Sequence, residues 1–218
     1  EIISVTYSDR APWPVLADGF GFSLVRAADG SYRASEALLG TPGADGGAST
    51  IGGVLVNEVL SSSTLPLKDT IELLNASSDP VDVSGWYLSD DPTYPWKYRI
   101  SDRPALAPGE FVTFDEDQFN PTPGIGTSFS LSSLSDDVYL FSADAGAQLT
   151  GYSHGFSFGG AQDGVSFGRH VNSAGEEQFA PQIARTPTAE NSGPRFGPVV
   201  MSEINYRPLL AADERPHR

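Results

Sequence analysis

Short runs of apolar residues, each bounded by glycine, proline, aspartate or serine, recur along most of the chain. The clearest runs read VLVNEVL, DTIELLN, VDVSGWYLS, WKYRI, EFVTF, DDVYLFS and GVSFGR. Each has the length of a β-strand, is rich in Val, Ile, Phe and Tyr, and has turn-forming residues on both sides. Helical spacing is scarce, and its best stretch covers residues 34–39. With 17 prolines in the chain, this pattern predicts an all-β sandwich.

Several phrases of the sequence recur 145 positions further along, in one register. TPGADGG, beginning at Thr41, returns as TPTAENSG, beginning at Thr186, and Glu58 in VLVNEVL matches Glu203 in VVMSEIN. A fixed period of this length is typical of tandem globular domains. We therefore predict one complete domain, residues 54–191, between linkers at 47–53 and 192–198. Residues 1–46 are then the C-terminal part of one copy, and 199–218 are the first strands of another.

Composition and charge exclude several classes of function. The chain has 28 acidic and 13 basic residues, a net charge of -15, which repels nucleic-acid backbones and anionic lipid. It has no cysteine, so disulfides, thiol nucleophiles and thiolate metal sites are excluded. No run approaches the roughly 20 apolar residues of a membrane span. We expect no nucleic-acid partner and no membrane insertion in this segment.

The stretch VLVNEVLSSSTLPLKDTIELLNASSDPVDVSGWYLSDD resembles the opening of a bacterial lamin tail domain. Its cues are Asn57-Glu58, the phrase VDVSGW ending at Trp86, and Leu88-Ser89-Asp90. The resemblance continues to ARTPTAEN and covers essentially all of residues 54–191. It implies an immunoglobulin-like β-sandwich of the kind found in large secreted or surface proteins, with no catalytic residues and no cofactor.

Four acidic residues are candidates for a site. Glu58 and Glu72 each lie inside an otherwise apolar strand, and a buried carboxylate must be hydrogen-bonded or paired. One interpretation gives them backbone donors or a basic partner such as Arg99 or Arg169. The other makes them calcium ligands together with Asp90 and Asp91, because calcium prefers oxygen donors of this kind.

Aromatic and apolar residues point to contacts with other chains or domains. Trp86 is expected in the core, whereas Tyr94 and Trp96 in YPWKY are candidates for binding a sugar or a neighbouring domain. The partial copies cannot close a sandwich alone, so we expect them to pair with more of the same polypeptide or with another subunit. The residues expected in those contacts are Val5, Tyr7, Phe20, Phe22, Val199, Met201 and Ile204.

GYSHG (residues 151–155) fits the G-x-S-x-G pattern of a hydrolase nucleophile elbow. That elbow requires a strand, a strained turn and a helix in a parallel sheet, which the pattern of this chain does not favour. The sequence therefore predicts a non-catalytic structural or adhesive repeat of a large extracellular or cell-surface protein, in contact with neighbouring repeats. The alternative is a calcium- or glycan-binding accessory module of a secreted enzyme.

Overall fold

The computed structural model describes residues 4–8, 13–27, 30–43 and 53–197. Within these ranges the fold is almost entirely antiparallel β-structure, in three sheets. A 3-10 helix covers Val15–Ala17 and one short α-helix, α1, covers Glu116–Phe119. The strands are β1 (Leu24–Arg26), β2 (Tyr32–Ala34), β3 (Val54–Leu60), β4 (Thr70–Asn75), β5 (Tyr87–Ser89), β6 (Tyr98–Arg99), β7 (Phe111–Asp115), β8 (Asp136–Ala143), β9 (Leu149–Phe158), β10 (Phe167–Val171) and β11 (Glu177–Pro181).

Two of the sheets form a β-sandwich. The first has the strand order β11-β10-β3-β4-β7 and the second has the order β6-β5-β8-β9. One core of apolar side chains joins them, with Val56, Ile71 and Leu73 from the first sheet and Leu88 and Leu140 from the second. Because side chains alternate between the two faces of a strand, the residues between these apolar positions lie on the outer faces.

The outer face of the second sheet is also apolar, and a separate N-terminal unit covers it. Strands β1 and β2 pair as a hairpin that forms a two-stranded sheet of its own. Val15, Leu16, Phe22 and Ala34 of this unit pack against outward-facing side chains of β5 and β8 in a second buried cluster. We call residues 13–43, which contain this hairpin, the N-terminal segment. Strand β8 is consequently buried on both faces, which explains its nearly continuous apolar sequence.

The first sheet contains a β-bulge in its central strand. The pairing of β3 with β4 shifts between Val56 and Glu58, so that Asn57 is the extra residue. A bulge leaves ladder groups without their usual strand partner. Side chains supply those partners here: the backbone N–H of Val56 donates to His154 Nδ1 at 2.9 Å, and the carbonyl of Asn57 accepts from Asn191 Nδ2 at 3.1 Å.

The strands predicted from the apolar runs are present, with different lengths in places. β3 covers the whole of VLVNEVL, whereas VDVSGWYLS contributes only β5 and a single bridge from Val81 to Leu106. The helical candidate at residues 34–39 was wrong, because Ala34 ends β2 and the next residues form bends and turns. Trp86 is 4% exposed and lies in the core, so its predicted burial is confirmed.

In the part of the chain that the structure describes, no helix has the length and apolar character that a membrane crossing needs. The boundaries proposed for the linkers and partial copies stay predictions. Residues 199–218, the predicted start of a further copy, lie outside the described ranges.

Replacing Trp86 by Ala is expected to lower the free energy of unfolding by about 3–5 kcal/mol, because a large ring leaves a cavity between the sheets. Chemical denaturation of the chain measures this loss. The matched control is Trp96→Ala, where the tryptophan is 38% exposed and the expected loss is about 1 kcal/mol or less. Equal losses for the two variants would contradict the assignment of Trp86 to the core.

Candidate functional site

The two glutamates singled out in the sequence lie side by side on the outer face of the first sheet. Glu58 on β3 is the direct cross-strand partner of Glu72 on β4, and they are 6% and 2% exposed. Like charges directly opposite each other destabilise a sheet, and buried carboxylates need hydrogen-bond donors. The position is therefore unfavourable unless another part of the chain supplies those donors.

Residues 186–191, which we call the closing segment of the domain, supply those donors. Thr186 donates its backbone N–H to Glu58 Oε2 at 3.1 Å and its hydroxyl to the same oxygen at 2.7 Å. Thr188 donates its backbone N–H to Glu72 Oε2 at 2.6 Å, while Asn57 Nδ2 donates to Glu72 Oε1 at 2.9 Å. We call this arrangement of residues 186–191 over the two glutamates the carboxylate clasp.

Asn191 fixes the end of the clasp. Its Nδ2 donates to the carbonyl of Asn57 at the bulge and to the carbonyl of Arg169 on β10 at 2.9 Å. Its Oδ1 accepts from Asn57 Nδ2 at 3.2 Å. One side chain thus joins β3, β10 and the closing segment, so the first and last parts of the domain are held together.

The predicted basic partners of the glutamates are not the observed ones. Arg169 forms an ion pair with Glu177, and the guanidinium of Arg99 lies close to Gly85. The hydrogen-bonded interpretation of Glu58 and Glu72 therefore holds, with backbone and hydroxyl donors in place of arginine. Burial raises the pKa of Glu72, although the hydrogen bonds from Thr188 and Asn57 oppose that shift.

Asp90 and Asp91, the other candidate calcium ligands, lie after β5, on the second sheet. Asp90 forms an ion pair with Lys97. Asp91 accepts hydrogen bonds from the backbone and hydroxyl of Thr93 at 2.8 and 2.7 Å, which lower its pKa. Nowhere in residues 4–8, 13–27, 30–43 and 53–197 do three or more His, Cys, Asp or Glu side chains gather closely enough to hold a metal ion. Calcium binding by these four residues stays a prediction.

The G-x-S-x-G stretch lies inside β9 of an antiparallel sheet, not at a strand–turn–helix elbow. His154 Nδ1 accepts the backbone N–H of Val56, and its Nε2 lies 3.3 Å from Glu177 Oε2. The ring therefore joins the two sheets and has a structural role. Hydrogen bonds from His154 and Arg169 lower the pKa of Glu177 to about 2.

Tyr94 and Trp96, the predicted interaction residues, form an exposed edge-to-face pair with ring centroids 6.2 Å apart. Trp96 also contacts Phe20 of the N-terminal segment, at 6.1 Å. Sequence reasoning missed the larger surface beside them, the outer face of the second sheet with Tyr87, Tyr139 and Phe141. The available signal was the β8 run VYLF, in which both alternating sets of positions are apolar.

The prediction for the ends of the chain needs correction in part. Phe22 is buried, but it packs against the same chain and not against residues beyond it. Val5 and Tyr7 are 42% and 70% exposed within this chain, and their burial against another copy or subunit stays a prediction. Val199, Met201 and Ile204 lie outside the described residues, and their proposed contacts stay predictions.

These features define a class of protein: an immunoglobulin-like β-sandwich, typically a structural or interaction module and typically non-catalytic. The family model of the lamin tail domain matches residues 47–155, half of the chain. The chain belongs to the lamin tail domain family. No curated protein and no solved structure was found to match it.

Asn191→Ala is expected to lower the free energy of unfolding by about 1–3 kcal/mol, because it leaves the carbonyls of Asn57 and Arg169 without their donor. Thermal or chemical unfolding of the whole chain measures the change. Glu190→Ala, at the exposed neighbouring position, is the control and is expected to stay within about 0.5 kcal/mol of the parent. If both variants behaved alike, Asn191 would not be holding the clasp.

The low pKa of Glu177 predicts a pH dependence of stability. A carboxyl whose folded pKa lies below its unfolded value of 4.5 stabilises the fold above pH 4.5, and this stabilisation disappears as pH falls towards 2. Glu177→Gln should therefore cost about 1 kcal/mol at pH 7, a value discounted for partial exposure, and almost nothing near pH 2. Unfolding curves across this range test it, with exposed Glu176→Gln as the control. A loss that did not change with pH would contradict the assignment.

Proposed function

We propose that this chain is a non-catalytic structural or adhesive repeat of a large extracellular or cell-surface bacterial protein, and that its copies join into an array or fibre. Membership of the lamin tail domain family supports the structural or interaction class. The main support for a repeat is that two hairpins of this chain, β1–β2 and β10–β11, have matching structures.

The β1–β2 hairpin reproduces the β10–β11 hairpin residue for residue. Leu24 pairs with Ala34 as Arg169 pairs with Phe179, and 145 positions separate the members of each matching pair. The loops also agree: the N–H of Ala27 donates to the carbonyl of Ser31 at 2.8 Å, and the N–H of Asn172 donates to that of Glu176 at 3.0 Å. The sequence period therefore corresponds to a structural unit, which supports tandem copies.

The two loops share their special backbone conformation as well. Gly30 and Gly175, again 145 positions apart, have φ of 91° and 82°, a left-handed conformation that favours glycine. Each glycine donates its N–H to the carbonyl of the first loop residue, Ala27 or Asn172, at 3.0 Å. Chance similarity of two short hairpins would not be expected to keep the register, the loop bonds and the glycine together.

The net charge and the hydrogen bonds between the first strand and the last segment of the domain fit the proposed role. A net charge of -15 keeps copies soluble at the high local concentration of an array. The carboxylate clasp joins the first strand of the domain to its last segment, which ties the two ends of a copy together. The proposed partners are neighbouring repeats or subunits of the same protein.

The exposed pair Tyr94 and Trp96 favours a second candidate function, a glycan-binding accessory module of a secreted enzyme. Exposed tryptophan and tyrosine rings offer an apolar surface with a polar edge, a chemistry suited to sugars. The calcium form of this alternative involves Glu58, Glu72, Asp90 and Asp91. Each has protein partners in the structure, which makes calcium the weaker form of the alternative.

The structural role predicts that calcium does not stabilise the chain and that glycans do not bind it. Millimolar calcium is expected to leave the melting temperature within about 1 °C of its value in chelator, because a ligand that does not bind the folded state cannot shift its stability. Glycan binding is tested by screening the parent chain and Trp96→Ala on a glycan array, and we expect no signal from either. A calcium-dependent rise in melting temperature, or a glycan signal lost in Trp96→Ala, would favour the accessory module instead.

A further inference from the structure

Buried apolar positions of the N-terminal segment match, at the period of 145, apolar positions in or just before the β10–β11 hairpin, which we call the closing hairpin of the complete domain. Phe22 corresponds to Phe167 and Leu16 to Ala161, at the period of 145. Phe167 is a buried member of the sandwich core, and Ala161 packs against that core. Phe22 and Leu16 are also buried, but in the cluster on the outer face of the second sheet. Equivalent apolar positions, 145 residues apart, therefore cover two different surfaces in one chain.

The receiving surface is shaped for close contact with the hairpin. Tyr87, Tyr139 and Phe141 present rings on the outer face, where the N-terminal segment leaves them at most 7% exposed. Gly151 on β9 has φ of 84°, and a Cβ at this position would lie 2.2 Å from the carbonyl oxygen of Ser35. The two backbones approach so closely that any other residue at this position would force them apart.

We propose that the outer face of β6-β5-β8-β9 is a joint between repeats, and that its partner is the closing hairpin of another copy of this domain. This inference rests on the proposed function and names the surface and the partner through which the copies meet. Within the chain the N-terminal segment is the occupant. Its sequence and register identify it as that closing hairpin.

The joint gives the closing hairpin two positions that exclude each other. A side chain such as Phe22 cannot fill the core of its own sandwich and also cover the sheet of the next copy. In the complete domain the hairpin is held by two residue pairs between β10 and β3, Phe167 with Val59 and Gly168 with Glu58, and by the carboxylate clasp. Moving the hairpin to the joint would therefore require breaking both pairs, the core contacts of Phe167 and the clasp.

The test places a cysteine under the hairpin, which is unambiguous because the chain has no other. Phe141→Cys reports on the outer face of β8, and Leu140→Cys reports on the core face of the same strand. Both thiols are expected to be protected from alkylation. Adding Leu16→Asp buries a charge in the contact and should speed labelling at Phe141→Cys by about tenfold or more, while Leu140→Cys stays protected. Leu39→Asp, at a position 83% exposed, is the control and should change neither rate.

The second arm tests the identity of the partner. A synthetic peptide of residues 158–188, carrying Phe179→Ala to match Ala34, is added to the chain with Leu16→Asp and Phe141→Cys. We expect it to restore slow labelling, as a peptide of residues 13–43 does, whereas a scrambled peptide has no effect. If only the 13–43 peptide protected the thiol, the face would recognise one segment and not the repeat, and the joint would be wrong.

Three other results would also overturn the joint. They are rapid labelling of Phe141→Cys in the otherwise unchanged chain, slow labelling that persists with Leu16→Asp, and simultaneous exposure of Leu140→Cys, which would make the hairpin an inseparable part of the sandwich. None of them bears on the proposed function, because calcium melting and glycan binding do not depend on Phe141. A calcium- or glycan-dependent result would instead contradict that function, and with it the joint's role between repeats, whereas the labelling rates would be unchanged.

Discussion

Two carboxylates side by side on the outer face of one sheet are the constraint on which the closure of this sandwich depends. Glu58 and Glu72 are cross-strand neighbours and almost fully buried, so each must be given donors. Thr186 and Thr188 supply them from the far end of the domain. The closing segment is therefore required to return across the first strand, and the recurring Thr-Pro phrase marks the place where it does so.

The bulge at Asn57 belongs to the same arrangement. An extra residue in β3 interrupts the ladder, and the groups around it bond to side chains from distant parts of the chain, Asn191 and His154. Pairing the freed backbone groups costs less than leaving them buried and unbonded. A local irregularity in one strand thus becomes the point where the two sheets and the closing segment meet.

The outer faces of the two sheets are covered in chemically different ways. The first carries acids and is covered by donors from the closing segment, while the second carries aromatic rings and is covered by apolar residues of the N-terminal segment. Directional hydrogen bonds suit a contact within one domain, because they fix a single position. An apolar contact is tolerant of its partner's identity, which suits the joint that we propose for this face.

The sequence by itself determined the all-β class, the β3 strand, the buried position of Trp86 and the repeat period, because alternation, turn residues and periodicity are local properties of the chain. It also marked Glu58 and Glu72 as unusual. Only the tertiary structure decided their partners, since Thr186 and Thr188 are more than a hundred residues away along the chain. Only the tertiary structure also showed that the outer face of β8 is covered and that His154 joins the two sheets. In the sequence alone, the motif around His154 resembles a hydrolase elbow. Hydrogen-bond partners and covered faces arise from contacts between distant segments, and no local pattern encodes which segments will meet.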